Sequence, residues 1–425
     1  MVTCMHTPTG LRVLVEELPH THSVSLGCYV NVGARYEPVE LSGVSHFIEH
    51  MVFKGTRSFP IARSISEAVE GVGGLLNAST SYESTVYYAK VAHIHFDRAL
   101  GVLSELLRCP LFDRRELEKE RKVIIEELRG TQDAPSDWVH ELLAADLWGN
   151  QPLGRDIAGS IESVSAIGHE ELTRFFTRHY GIANTVISVA GNVDAERVLE
   201  QVSRTFADYA QAPLSVALPS DPARPGPQVR LVARDTEQGN FCLGLPGLAY
   251  TDPDRRALQV LDTVLGGGMT SRLFQVLRED NGLAYNVGSY HSEYADTGMW
   301  VIYGSVEADM LRDSLAMTFD ILRAVASDGV TEEELALVKE QVKGGMLLSL
   351  EDTWSVAARN GAHLLRYDAV VPVEQVVAEV EAVSVADVAR VAQRLIRSEQ
   401  LHVAVVGDYD AQDEADIRTL VEAGL

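Results

Sequence analysis

Positive charge is scarce in this sequence: 36 lysines and arginines stand against 61 aspartates and glutamates, for a formal net charge of −25. Gripping nucleic-acid phosphates needs a basic surface, which this composition could supply only as a local patch, so no nucleic-acid partner is expected. A cationic or peptide-like partner is easier to accommodate. Cysteine is also sparse. Cys4, Cys28, Cys109 and Cys242 lie far apart with no C-x-x-C pair, which argues against a dithiol redox site or a zinc knuckle and fits reduced thiols in a cytoplasmic protein. Long apolar runs are missing too: charge or glycine interrupts each one well short of the roughly 20 residues that span a bilayer. Neither a basic region nor an apolar core precedes the strand-like stretch 11–15, so neither an export signal nor a membrane partner is expected.

What is present describes a globular protein. Hydrophobic residues make up 46% and charged residues 23% of 425 positions, a soluble balance in a chain too long for one ordinary core, so two domains are expected. Pro213, Pro219, Pro222, Pro225 and Pro227, with Gly226, punctuate residues 211–228 without helical or strand periodicity. That stretch is read as a linker between an N-terminal domain, 1–210, and a C-terminal domain, 229–425. The two sides look like versions of one another. Val186-Ile187-Ser188-Val189-Ala190-Gly191 and His402-Val403-Ala404-Val405-Val406-Gly407 both read as a buried strand closed by a glycine turn. The openings of two charged helices, at 112–118 and 330–336, recur at nearly the same separation. An α+β fold is expected, with two homologous domains, each a largely antiparallel sheet with helices packed on one face.

From 42 to 53 the apolar residues fall at helical spacing, so His46 and His50 lie one turn apart and point the same way. Two imidazoles so placed can grip one ion. Glu49 lies beside them, where its carboxylate could take a proton from a water on the metal. The order His-Phe-Ile-Glu-His mirrors the commoner H-E-x-x-H helix. A catalytic zinc takes three protein ligands, so a third is needed. Glu126 and Glu127 both lie on the helix that follows residue 115. Glu127 has Val123 and Ile124 one turn back and borders the buried face, whereas Glu126 sits one turn from Lys122 as in a solvated pair. Glu127 is therefore assigned to the metal, and Glu120, two turns earlier on a similar side, to a supporting position that fixes local hydrogen bonding and charge.

These residues resemble the inverted-zincin peptidases related to pitrilysin, insulin-degrading enzyme and the mitochondrial processing peptidase. The stretch His46-Phe47-Ile48-Glu49-His50-Met51-Val52-Phe53-Lys54-Gly55-Thr56 resembles that family's zinc helix, and 120–127 its downstream helix. The length matches the half-size branch. The resemblance implies a zinc-dependent endopeptidase that binds one Zn2+ per chain and acts on unfolded peptides or short polypeptides. Gly73-Gly74-Leu75-Leu76-Asn77-Ala78 is similar to the segment leading into the family's substrate-holding edge strand, so Asn77 and Ala78 would align an extended peptide by strand addition. Arg278 and Tyr285 look like the Arg and Tyr pair that reaches the active site. Glu127 corresponds to Gly345 in the second half, and the counterpart of the zinc helix there, 257–267, has no histidine. By the resemblance, Arg278 and Tyr285 would then serve a partner subunit's zinc site in a homodimer. The same family includes non-catalytic assembly subunits and subunits that need a homologous partner, and these are the alternatives. Gly266-Gly267-Gly268 lacks the Gly-Lys-Ser/Thr ending of a phosphate loop and is read as a turn between packed helices.

Overall fold

Strands form where β-branched and aromatic residues alternate or run continuously, and helices where apolar residues recur every three or four positions. The computed structural model describes residues 2–425. Five helices concern the site and its surroundings: α1 (Val44–Val52), α2 (Arg114–Asp133), α3 (Pro135–Trp148), α4 (Arg255–Gly266) and α5 (Thr353–Tyr367). Among the described residues no helix is long and apolar enough to cross a membrane.

The first compact unit takes the chain up to Leu128, then Asp156–Leu218 and Met346–Val371. Its strands are β1 (Val2–His6), β2 (Arg12–Glu17), β3 (Ser23–Val30), β4 (Leu75–Thr80), β5 (Thr85–Ala92) and β6 (Thr185–Gly191). They form one sheet in the order β1-β2-β6-β3-β5-β4. β2 and β6 run parallel and the other neighbours antiparallel. One face of the sheet presents Val13, Val15, Leu26, Cys28 and Ile187 to the buried residues Phe47, Ile48 and Met51 of α1 and to Leu103 and Leu106. Each such side chain, fully buried, contributes roughly 1.5–3 kcal/mol. That burial holds α1, which at nine residues would be marginal as an isolated helix. Because side chains alternate along a strand, Leu14, Tyr29, Val186 and Ala190 face the other way. There α5 covers them with Val356, Ala357 and Leu364. Gly361 permits the approach, since a Cβ there would lie 2.3 Å from the Tyr29 ring. The helices expected on one face are thus joined by one on the other.

The second unit takes Arg129–Arg155, Pro219–Gly345 and Pro372–Leu425. Its strands β7 (Gln228–Ala233), β8 (Gln238–Gly247), β9 (Ala284–Glu293), β10 (Gly298–Glu307) and β11 (His402–Gly407) are ordered β7-β11-β8-β10-β9. This repeats the first sheet without β1, including its one parallel pair, β7 with β11. Here the helix from the earlier half of the sequence, α3, packs on β8 and β11. Leu143 fits against Gly244, where a Cβ would lie 2.9 Å away, and Asp146 pairs with Arg230. Residues 211–225 carry neither helix nor strand, and the division between Leu218 and Pro219 falls among them. The remaining divisions arise because α3 and α5 each join the sheet built mainly from the other half of the sequence.

Candidate metal centre

The helix α1 begins at Gly43, whose φ of 91° belongs to the left-handed region. A Cβ at Gly43 would also lie 2.3 Å from the Ala158 carbonyl oxygen, so both conformation and space require glycine. With Val44, Phe47, Ile48, Met51 and Val52 buried, helical periodicity turns His46, Glu49 and His50 to the remaining face. Their imidazole Nε2 atoms lie 3.2 Å apart. Glu127, from α2, brings its Oε2 to 3.9 Å from His46 Nε2 and 3.8 Å from His50 Nε2. These three residues are the one group of potential metal ligands of this kind among the described residues.

The donor set fits zinc. Two ligands at about 2.0–2.1 Å in tetrahedral geometry lie about 3.3 Å apart, close to the observed separations. Glu120 is 5% exposed, and its Oε1 accepts from His50 Nδ1 at 2.8 Å. With its proton on Nδ1, His50 keeps the Nε2 lone pair directed towards His46. His46 is pushed down to about 4 by burial, with the neighbouring His50 adding to the effect, so its imidazole is neutral at pH 7. Two imidazole Nε2 atoms this close suit a shared cation. The other oxygen of Glu120 lies 2.6 Å from Lys54 Nζ. Burial pushes the Glu120 carboxyl up, but its hydrogen bonds to His50 and Lys54 outweigh that and hold it below the ordinary glutamate range.

The Glu49 Oε2 accepts from Thr80 Oγ1 at 2.5 Å. Burial raises its affinity for a proton, and the Thr80 hydrogen bond opposes this in part. Thr80 ends β4, an edge strand of the sheet. Asn77 and Ala78 lie on the same strand, opposite Tyr88 and Tyr87 of β5. The Asn77 side-chain oxygen accepts from the Ala78 N–H at 2.8 Å.

Arg278 and Tyr285 belong to the second unit and neighbour one another. Arg278 Nη1 donates to the Tyr285 carbonyl at 2.7 Å, and its guanidinium lies 5.6 Å from the Tyr285 ring centroid. Tyr285 is 75% exposed. The glycine run 266–268 serves packing: a Cβ on Gly266 would lie 2.2 Å from Ser289 N, and Arg272 is held by Glu334 at 2.8 Å.

Thr80 and Lys54 carry contacts to the site that sequence reasoning did not assign. Lys54 had a signal, since it lies one turn beyond His50 on the same side. Thr80 had a weaker one, alternating with Ala78 and Leu76 along β4.

Residues 12–160 match the family model described as Insulinase (Peptidase family M16), and residues 166–342 match the Peptidase M16 inactive domain. An uncharacterized zinc protease of Streptomyces coelicolor is 38% identical over 92% of this chain and 86% of its own length. The uncharacterized zinc protease YmxG of Bacillus subtilis is 39% identical over 92% of this chain and 94% of its own. Among solved structures, a protease from Helicobacter pylori superposes with a TM-score of 0.88 at 22% identity, covering 96% of this chain and 99% of that one. A peptidase M16 inactive domain from Pseudomonas fluorescens does so at 0.89 and 20%, over 97% and 98%. At those identities the two structures speak for the fold alone.

Proposed function

The chain belongs to peptidase family M16, and from that premise we propose that it is a zinc-dependent endopeptidase acting on unfolded peptides or short polypeptides. The observation that carries this reading is the convergence of Glu127 on His46 and His50, which share with Glu49 a helix packed against an edge strand. In this reading His46, His50 and Glu127 hold one zinc per chain. Zinc, when bound, would supply a Lewis acid that acidifies water and polarises the scissile carbonyl.

The chain's own residues do the rest. Glu49, kept avid for protons by burial, takes one from the attacking water and returns it to the leaving amine. Thr80 holds that carboxylate at the end of β4. Glu120 orients His50, and Lys54 holds Glu120. An extended peptide would add to the free edge of β4 alongside Asn77 and Ala78, displacing the Asn77 side chain from the Ala78 N–H. The Tyr285 hydroxyl would donate to the developing oxyanion, and the Arg278 guanidinium would hold a substrate carbonyl.

Arg278 and Tyr285 are assigned to the site of a second subunit in a homodimer, on the strength of the family resemblance and the exposure of Tyr285. Mixing inactive Glu49→Gln with inactive Tyr285→Phe tests this: one intact site per mixed dimer should restore cleavage, and no recovery despite subunit exchange rejects the assignment. We place the protein in the cytoplasm from its unpaired cysteines.

Zinc analysis of purified protein, paired with cleavage of an unstructured peptide, tests the central reading. The expected result is one zinc per chain and hydrolysis that a chelator stops and added zinc restores. A folded protein with no zinc affinity, or hydrolysis indifferent to chelator, would reject it. Zinc binding without cleavage until a homologous protein is added would favour the partner-requiring alternative.

A further inference from the structure

Just upstream of α1, residues 33–37 form a short strap whose contacts play no part in the chemistry described so far. Its first residue approaches the β4–β5 turn so closely that a Cβ on Gly33 would lie 2.1 Å from the Ser81 carbonyl oxygen. Ala34 N–H donates to Ser81 O at 3.1 Å and Arg35 N–H to Tyr82 O at 2.8 Å. The Arg35 side chain is 1% exposed. It donates from Nη1 to Glu83 Oε1 at 2.6 Å and from Nη2 to the Leu218 carbonyl at 2.8 Å.

Two residues further on, Glu37 is fully buried and turns back onto the start of α1. Its Oε2 accepts from Gly43 N–H at 2.8 Å and its Oε1 from Ser45 N–H at 2.7 Å. The first N–H groups of a helix have no partners within it, and Gly43, as the capping residue, has no side chain to offer. Glu37 supplies what the cap lacks, with the negative charge that the helix dipole favours there. Burying a carboxylate and a guanidinium is costly unless both are well bonded, so the strap has little freedom to shift.

What the strap joins gives it a consequence for the site. One end grips the start of the helix that carries His46, Glu49 and His50. The other grips the turn entered from β4, whose last residue, Thr80, donates to Glu49. Glu49, Thr80, the turn, Arg35, Glu37 and α1 therefore close a ring of contacts.

We propose that Arg35 and Glu37 are positioning residues that fix the spacing between α1 and β4, and with it the aim of the Glu49 carboxylate and the histidine pair. The proposal rests on the reading of this site as a zinc peptidase centre. Both residues act through the backbone, where a misplacement of about 1 Å can cost on the order of 100-fold in rate.

The test uses the full-length, zinc-replete protein. Glu37→Gln keeps the shape of the side chain but leaves one acceptor oxygen facing two N–H donors. The expected result is full zinc occupancy at saturating metal, zinc affinity by chelator competition and kcat each reduced by about 10–100-fold, and KM changed by less than about twofold, the signature of a lost transition-state alignment. Glu83→Gln, at the partly exposed end of the strap (19% of the side chain), should shift kcat the same way by a smaller factor, and it remains measurable if Glu37→Gln fails to fold. Wild-type kcat and zinc affinity in every variant that folds, even with a lowered melting temperature, would mean a purely structural strap and overturn the proposal. An effect confined to Glu37→Gln overturns the share assigned to Arg35. Failure of the underlying reading looks different, because the wild-type protein itself would then bind no zinc or show no chelator-sensitive cleavage.

Discussion

The corner where a helix meets the sheet's edge strand is built twice in this chain, and the two copies satisfy their polar groups in opposite ways. In the first unit α1 packs on β4, and in the second α4 packs on β9. The α1 corner directs His46, His50 and Glu127 towards one point, and the Nε2 atoms of the two imidazoles face one another. At the α4 corner, Asp262 accepts from Trp300 Nε1 at 2.8 Å and from His291 Nδ1 at 3.0 Å, with Trp300 fully buried. Donor meets acceptor there, within the protein. The same scaffold therefore carries either a converging set of electron-pair donors, suited to a cation, or a hydrogen-bond network, suited to holding its own strands. The choice depends on a few side chains and not on the topology.

The largest expected effect separates the two corners by chemistry. Glu49→Gln should lower peptide hydrolysis by about 10²–10⁴-fold while zinc content stays at the wild-type level; unchanged turnover by the metal-replete variant would break the contrast. A step smaller, Glu120→Gln should weaken zinc binding by about 10–100-fold, because His50 loses the charged acceptor that fixes its tautomer. Chelator competition measures this, and wild-type affinity would reduce Glu120 to a bystander. Asp262→Asn sharpens the comparison from the other side. An amide oxygen cannot serve Trp300 and His291 as a carboxylate does, so stability in urea should fall by about 1–3 kcal/mol with zinc affinity unchanged.

The smallest effect is in titration. Burial and His50 push His46 in the metal-free protein down to about 4, below the 6.5 of an unperturbed imidazole. The unfolded chain therefore binds the proton first, and this residue's contribution to stability is lost as pH falls from about 6.5 towards 4. His291 has the opposite sign. Burial pushes it down, but its hydrogen bond to Asp262 and the charges of Asp262 and Glu293 outweigh that and raise it. Its contribution is complete below about 6.5 and disappears as pH rises through its folded-state value. Imidazole NMR should find His291 protonated at a pH where His46 is neutral, and the reverse order would contradict the comparison.

Much of the first corner was legible in the sequence. The spacing of Val44, Phe47, Ile48, Met51 and Val52 forces His46, Glu49 and His50 onto one face; Glu127 meets the histidines, but not for the reason of bordering a buried face, since Val123 is 50% exposed and Glu127 is exposed as well. The duplication was legible as well, since buried parallel strands such as β6 and β11 advertise themselves as continuous apolar runs. The exchange of α3 and α5 was not. Either helix has an apolar face that would suit any sheet, and nothing local says which one it covers. The fit of Gly361 to Tyr29 and of Gly244 to Leu143 is visible only once the partners have met. Asp262, His291 and Trp300 were equally silent, since a lone Asp, His and Trp spread over 39 positions form no spacing pattern.

The sequence by itself determined the pair of imidazoles and the carboxylate beside them, because a helix fixes the relation of residues three and four apart whatever surrounds it. It also determined that the second half lacks that set. The tertiary structure alone decided which distant groups complete the site: Lys54 through Glu120, Thr80 at the end of β4, and the buried Arg35 and Glu37 that tie that strand's turn to the start of α1. Those contacts join segments whose separation along the chain carries no geometric information until the sheet has brought them together.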